Sequence, residues 1–308
     1  MGIVFGFFMI ILCQFSASVN VVGSKHLVAD LGIFFLMETR FLIAAIVLFI
    51  AWLLVGKKNN PKYVKVKSLD RKDWILLILQ ALCAGAFFNL LLLLGMRYTS
   101  ANNAAIITSA IPAMVALLSV FVLKQVLTRY KTICIVFATL GLFIINGSKL
   151  NFGGSMTAFM GDILIVIAII PESFYYVLSK VRTIKLPVLL LSSLINAINA
   201  IFMLPFVIIF SHDMPTHISN LDIFLLLLVG IASGVFYIGW AKGSQYVDGA
   251  TAGIMTALMP IFAIILSVIF LGEYIGLVQI IGMVLILASI VFSNMGGLLK
   301  KFKRKKEN

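Results

Sequence analysis

The sequence predicts an all-α integral membrane protein of ten transmembrane helices in two inverted five-helix repeats, and three observations carry that prediction. Of 308 residues, 62% are hydrophobic and only 11% charged, with a mean hydropathy of +1.14. A soluble domain of this size needs polar residues on its outside, so lipid has to cover most of this surface. The apolar residues fall into stretches of about 20, enough to cross a hydrocarbon core about 30 Å thick at about 1.5 Å per residue. Finally, the second half of the chain repeats the pattern of the first.

In chain order the segments lie at 3–23, 31–55, 74–96, 101–123, 131–148, 157–179, 187–211, 221–241, 250–271 and 277–297. The first has no basic leader and no clear A-x-A cleavage site, and it carries Gln14, Ser16, Ser18 and Asn20. It therefore reads as a mature helix and not as a signal peptide. The connections at 97–100, 124–130 and 272–276 are short, so the helices they join run antiparallel.

The net charge of +13 comes from 24 Lys+Arg against 11 Asp+Glu, and its placement gives the orientation. With a cytoplasmic N-terminus, 20 basic residues fall on the inside; only Lys25, Arg97 and Lys149 fall outside, and Arg40 lies within a segment. That asymmetry predicts a multi-pass protein of the cytoplasmic (inner) membrane with both termini cytoplasmic. The basic tail at 298–308 then meets anionic lipid and is no nucleic-acid site. Cys13, Cys83 and Cys134 sit singly in apolar runs without CxxC spacing, and His26, His212 and His217 lie in connecting segments. Neither a metal site nor any other cofactor is expected from that pattern.

Residues 95–146 align without a gap on 243–294, an offset of 148, with Gly95/Gly243, Tyr98/Tyr246, Thr108/Thr256, Pro112/Pro260, Ser119/Ser267, Leu123/Leu271 and Asn146/Asn294 identical. Composition alone matches Leu and Ile between apolar helices, but not Gly, Tyr, Thr, Pro and Asn in one register. The first segment matches the sixth at an offset of 155, with Gly6/Gly161, Ser18/Ser173 and Ser24/Ser179 agreeing; the longer loop at 56–73 explains the change of offset. The predicted domains are thus a first repeat at 1–150 and a second at 151–297. An odd number of helices per repeat makes the second enter the membrane from the opposite side.

The sequence carries Arg40 in LMETRFLIAA, a Tyr-x(3–5)-Ala-x-x-Ala-x(6–7)-Pro run in the fourth and ninth segments, and LGEYIGLVQIIGMVLILASI with Leu271-Gly272-Glu273 and Gly282. With the inverted repeat, these features resemble the EamA-type members of the drug/metabolite transporter superfamily over about residues 3–296. Two places depart from it: Leu123-Lys124-Gln125 where family repeats often show Gly-Glu, and Pro171-Glu172 where small residues or Trp are common. The resemblance implies a transporter of small metabolites whose cavity is lined by helices from both halves. It also implies a structural role for Arg40, clamping the second helix to its neighbours.

An ionisable group near the bilayer midplane costs at least about 2.5–3.5 kcal/mol, so each needs a partner or a water-filled cavity. Glu172 follows Pro171 about half way along the sixth segment, where the proline weakens the helix. It either binds a substrate amine or a proton, or serves as an ion-pair partner, for instance to Arg40. Glu38 lies two residues before Arg40, on a different face, and nearer the outer surface, where solvent suffices. Gln14 and Ser18 form a polar stripe on the first helix and are candidates for lining the cavity. Ser192, Asn196 and Asn199 form another on the seventh, where helix–helix gluing is the leading reading. Asn89 and Tyr237 are repeat mates, and Tyr237 with Trp240 presents an aromatic wall either to a planar or cationic substrate or to lipid. Tyr176, one turn beyond Glu172, joins the substrate-binding candidates. Pro112 and Pro260 are read as mid-helix kinks serving gating, Ala104, Ala105, Ala252 and Gly253 as close-packing positions, and Lys25, Lys180 and Lys242 as snorkelling to the interface.

No HExxH, Walker loop, GxSxG with partners or Cys/His cluster occurs, and no loop exceeds about 18 residues, which argues against an enzyme. The expected function is secondary active transport of an amino acid, nucleoside or drug-like compound by alternating access. Export is preferred, with uptake by the same fold as the alternative and a channel or intramembrane enzyme further behind. The expected partners are the small-molecule substrate, protons and membrane lipid, with the chain monomeric or homodimeric.

Overall fold

The computed structural model describes residues 2–55, 66–96, 98, 107–108, 110–147, 156–181, 184–210, 217–272 and 275–306. Among these, every regular element is helical. The helices are α1 (Gly2–Leu31), α2 (Ile33–Val55), α3 (Arg71–Ala81), α4 (Phe88–Met96), α5 (Ile111–Leu123) and α6 (Arg129–Gly147). They continue with α7 (Met156–Val181), α8 (Val188–Ile209), α9 (Asn220–Gly243), α10 (Gly249–Met255), α11 (Leu258–Leu271) and α12 (Leu277–Lys306). A π-helical stretch, Leu82–Phe87, joins α3 to α4.

Seven stretches of described residues are long and apolar enough to cross a bilayer: Gly2–Ser24, Ile33–Leu54, Arg71–Leu92, Met156–Val181, Val188–Ile209, Asn220–Gly243 and Gly249–Phe270. Ile111–Leu123 and Leu277–Phe292 are apolar but shorter. Large apolar side chains face outward along the helices, Leu54, Phe121 and Ile201 being 79%, 72% and 71% exposed. On a soluble protein such a surface would aggregate; on this one it meets acyl chains.

The structure moves some boundaries. Helix α1 runs well past the predicted end at residue 23, because Ser24–Leu31 holds no helix breaker; it stops where Gly32 turns to φ 71°. The ninth segment is two helices, α10 and α11, with a break at Thr256–Ala257. The tail predicted to start at 298 continues α12 to Lys306. Ala104, Ala105 and Glu273 lie outside the described residues.

The helices group into two compact units, Met1–Asn89 with Arg182–Tyr246 and Leu90–Val181 with Val247–Asn308, so each unit draws on both halves of the sequence. In the first, α9 packs along α1 and α2, and α8 along α2, α3 and the π stretch. In the second, α12 packs along α6, and α5 along α7 and α10.

Close helix packing follows the sequence repeat. In the first unit a Cβ on Gly243 would stand 2.9 Å from the Gly6 carbonyl oxygen and 2.7 Å from Ile10 Cγ1. In the second, a Cβ on its mate Gly95 would stand 2.9 Å from the Gly161 carbonyl oxygen and 2.5 Å from Ile165 Cγ1. Gly6/Gly161 and Ile10/Ile165 are themselves mates at offset 155. Without a hydrophobic driving force between helices in lipid, such backbone-to-helix approach is a main source of association. The Gly253 reading holds in the same way: a Cβ there would lie 2.8 Å from Val115 Cγ1.

The helix ends repeat as well. Helix α11 closes on Gly272 (φ 65°) and α5 on its mate Lys124 (φ 52°), each amide donating to the carbonyl of a matching serine, Ser267 or Ser119. The left-handed cap suits glycine and strains a side chain. This is the position where the sequence departs from Gly-Glu.

At the start of α10, Asp248 accepts from the amide and hydroxyl of Thr251 at 3.1 and 2.7 Å and pairs with Lys131 Nζ of α6 at 2.7 Å. Lys180 of α7 donates to the adjacent Val247 carbonyl, so it ends on backbone and does not snorkel. Burial alone would raise the Asp248 carboxyl, but the Lys131 ammonium and the two Thr251 bonds outweigh it and hold the group below its ordinary value.

Three outcomes follow. Gly243→Ala lowers the thermal midpoint in detergent by an overpacking cost of about 1–3 kcal/mol, whereas Gly276→Ala, which meets only the Gln279 side chain, is near neutral. Lys124→Gly relieves the left-handed cap and stabilises by up to about 1 kcal/mol, while Gly272→Lys costs a similar amount. Because its folded value is depressed, Asp248 contributes stability above the ordinary aspartate range and loses it as pH falls through the lowered value. The midpoint gap between wild type and Asp248→Asn, followed by thermal scans from pH 7 to about pH 3, therefore closes on the acid side.

Candidate functional site

In the first unit the polar side chains gather on Arg40 of α2. Its Nη1 donates to Asn20 Oδ1 of α1 at 2.7 Å and its Nη2 to Asn89 Oδ1 of α4 at 2.8 Å, while Cζ sits 4.8 Å over the Phe41 ring. Both amides are oriented by their other ends. Asn20 Nδ2 donates to Ser233 Oγ and the Val229 carbonyl of α9 at 2.5 and 3.2 Å; Asn89 Nδ2 donates to the Gly85 and Ala84 carbonyls at 2.6 and 3.2 Å. The Tyr237 phenol of α9 lies within electrostatic reach of the same guanidinium. Arg40 Nε is buried without a hydrogen-bond partner. Among the described residues no carboxylate pairs with Arg40.

The Asn89 contacts serve a second purpose. A π turn widens the helix and frees backbone groups that lipid cannot satisfy. Asn89 takes the Ala84 and Gly85 carbonyls, and Asn199 Oδ1 of α8 accepts the Ala86 amide at 3.0 Å. That approach needs glycine at 85, since a Cβ there would fall 2.1 Å from Asn199 Nδ2. Asn199 is thus helix-to-helix glue, as is Ser193, whose hydroxyl donates to the Ala45 carbonyl at 2.8 Å.

Gln14 and Ser18 are fully buried: Ser18 Oγ donates back to the Gln14 carbonyl at 2.8 Å, and Gln14 Oε1 has no partner. Tyr237 and Trp240 are 3% and 1% exposed, which removes the lipid-facing reading of the aromatic wall. Glu38 is partly buried, with Oε2 enclosed and unpartnered, and is not the solvated carboxylate expected from its place in the sequence.

In the second unit Pro171 stands inside α7, and Glu172 after it is 6% exposed. Tyr176, one turn on, hydrogen-bonds the Glu172 carboxylate and stacks obliquely on Tyr175 at 5.4 Å. Glu172 Oε2 and Ser173 Oγ are enclosed without partners. No cation pairs with Glu172 among the described residues, and the groups that hold Arg40 are amides.

Pro112 and Pro260 do not sit in mid-helix. Each stands in the first turn of its helix, α5 or α11, where a missing amide costs least. The irregularity precedes them: Thr256 and Ala257 donate three residues back to Gly253 and Ile254, and the Thr256 carbonyl, which Pro260 cannot serve, accepts from Met259 at 3.2 Å. Thr256 Oγ1 adds a 2.7 Å bond to the Gly253 carbonyl.

Sequence reasoning passed over Asn20. The polar stripe on the first segment is read through Gln14 and Ser18 alone, and Asn20 is given no role there. An intramembrane Arg calls for acceptors, and Asn20 with Ser24 one turn later was the available signal.

The model of the EamA-like transporter family matches residues 4–147 and again 159–295. The uncharacterized transporter YetK of Bacillus subtilis is 29% identical over 88% of this chain and 81% of its own length. A second from that organism, YyaM, is 25% identical over 79% and 80%, and one from Archaeoglobus fulgidus is 25% identical over 85% and 87%. A solved crystal structure superposes with a TM-score of 0.76 at 18% identity, covering 96% of each chain, which establishes a shared fold. With the family model covering nearly the whole length in two successive copies, the chain belongs to the EamA-like transporter family and is a membrane transporter, not an enzyme.

Proposed function

We propose that the protein is a secondary active transporter that moves a small organic metabolite, an amino acid, nucleoside or drug-like compound, out of the cell by alternating access. In this reading ten helices cross the cytoplasmic membrane as two inverted five-helix repeats with both termini inside. Gly243 and Gly95, packing on matching partners in their respective units, favour the repeat. The orientation is favoured because it puts 20 basic residues on one side and only three on the other. Uptake by the same fold is the alternative.

The observation that carries the mechanism is Glu172: a carboxylate in an apolar span, behind a helix-interior proline, with one oxygen enclosed and unpartnered. A carboxylate so placed is kept by a proton or by a cationic group on the cargo, and exchanging one for the other couples the two. Tyr176 holds the carboxylate in one orientation while Oε2 is left for that exchange. Gln14, Ser18, Asn89, Tyr237 and Trp240 supply the polar and aromatic contacts to substrate, and Pro171 inside α7 and the Thr256–Ala257 break ahead of Pro260 the places where helices bend during access changes.

Flux into proteoliposomes, screened over amino acids, nucleosides and cationic drugs with and without a pH gradient, tests this. Glu172→Gln removes a charge-assisted contact of about 1.5–3 kcal/mol, so flux falls roughly 10–100-fold and its pH dependence flattens. Unchanged flux with unchanged pH dependence takes Glu172 out of the mechanism.

A further inference from the structure

We infer that Arg40 is the docking point for a carboxylate on the transported compound. The inference rests on the transport reading and adds a substrate class to it. Arg40 lies within the span Ile33–Leu54 and carries a full positive charge among neutral partners: two amide oxygens, an aromatic face and the Tyr237 phenol. In lipid-spanning helices such a charge is answered by an opposite charge, by backbone carbonyls or by a water-filled cavity, and here none of the described residues supplies the opposite charge. Glu38, the acid nearest in sequence, is two residues away on a different face and forms no ion pair with it.

The clamp uses only part of the guanidinium. One donor on each terminal nitrogen goes to Asn20 or Asn89, and the side chain carries more donors than these acceptors take up. Nε is enclosed and unpartnered. Asn20 is pinned by Ser233 and Val229, and Asn89 by Gly85 and Ala84, so neither amide can turn away. The fork is therefore fixed in direction before any ligand arrives, with its Nε donor left unsatisfied. A planar carboxylate matches a guanidinium edge with parallel bonds and supplies the missing charge. A structural clamp alone explains the two amide bonds but leaves both the unsatisfied Nε donor and the uncompensated charge without a purpose.

The test is ligand binding to the purified full-length chain in detergent, read as the thermal midpoint. The probes are L-phenylalanine, L-leucine, succinate and benzoate, each against its carboxamide, together with inorganic phosphate. At least one carboxylate should raise the midpoint saturably, and its carboxamide should bind at least about tenfold more weakly. Arg40→Gln abolishes the shift. Should Arg40→Gln not fold, Asn20→Asp decides: it places an internal carboxylate beside the guanidinium, preserves the ligand-free midpoint and removes the response to added carboxylate. No shift from any carboxylate, equal shifts from carboxamides, a shift from phosphate alone, or a response that survives Asn20→Asp overturns the inference. Flux in proteoliposomes separates this from the transport reading. Transport of neutral or cationic compounds without carboxylate binding sinks the Arg40 site only; carboxylate binding with no flux of any compound sinks the proposed transport instead.

Discussion

Hydrocarbon offers no hydrogen bonds, so every backbone group that a helix leaves open has to be answered from within the protein. That constraint accounts for several of the polar side chains among the described residues. The π stretch Leu82–Phe87 exists because Asn89 and Asn199 receive what it frees, and Gly85 exists because Asn199 has to reach it. The break before α11 is closed by bonds three residues back and by the Thr256 hydroxyl. Helix α5 closes on a left-handed Lys124, whose amide takes the Ser119 carbonyl. Taken without this constraint, the same residues look like a scatter of weakly polar positions in a hydrophobic sequence.

Much of the fold is legible in the sequence because lipid makes length and apolarity decisive, and because duplication places the same residues twice. Gly95/Gly243 and Ser119/Ser267 stand out in a self-comparison, and the two members of each pair make matching contacts. What is not legible depends on contacts between distant helices. Nothing in the run LCAGAF announces a π turn, since the residue that permits it, Asn199, lies more than a hundred positions away. The grouping of helices into two units that cut across the sequence halves is likewise a matter of packing. The prolines misled for a local reason: an apolar run reads as one helix through Pro260, whereas the chain changes its bonding just ahead of the ring.

The candidate site was half legible. Arg40 and Glu172 are conspicuous as the charges most deeply set in apolar segments, and their cost in lipid singles them out. Their partners are not conspicuous. An Arg–Glu pair is the natural expectation for two buried opposite charges, yet each is held by neutral groups of its own unit: amides around Arg40, a phenol beside Glu172. Neutral partners orient a charge without cancelling it. A charge held that way stays available to a proton or to a ligand, whereas a salt bridge of long standing would have to be broken first.

The repeat sharpens this contrast. The positions that set helix approach and helix ends correspond between the two copies: Gly95 with Gly243, Gly6 with Gly161, Ser119 with Ser267, and Lys124 with Gly272, the last pair sharing a conformation though not a residue. The positions that carry charge or its acceptors do not. Arg40 corresponds to Ile195, Asn20 to Tyr175, Asn89 to Tyr237, and Glu172 to Ala17. Packing constraints act equally on both copies, because each has to bring helices together in the same lipid. A ligand with distinct ends imposes no such equality, and it is served best when the groups that meet it differ between the copies. The asymmetry of these four pairs, set into a scaffold whose packing positions match, favours the proposed transport of an asymmetric organic molecule. A symmetric pore for a small ion would have no use for it.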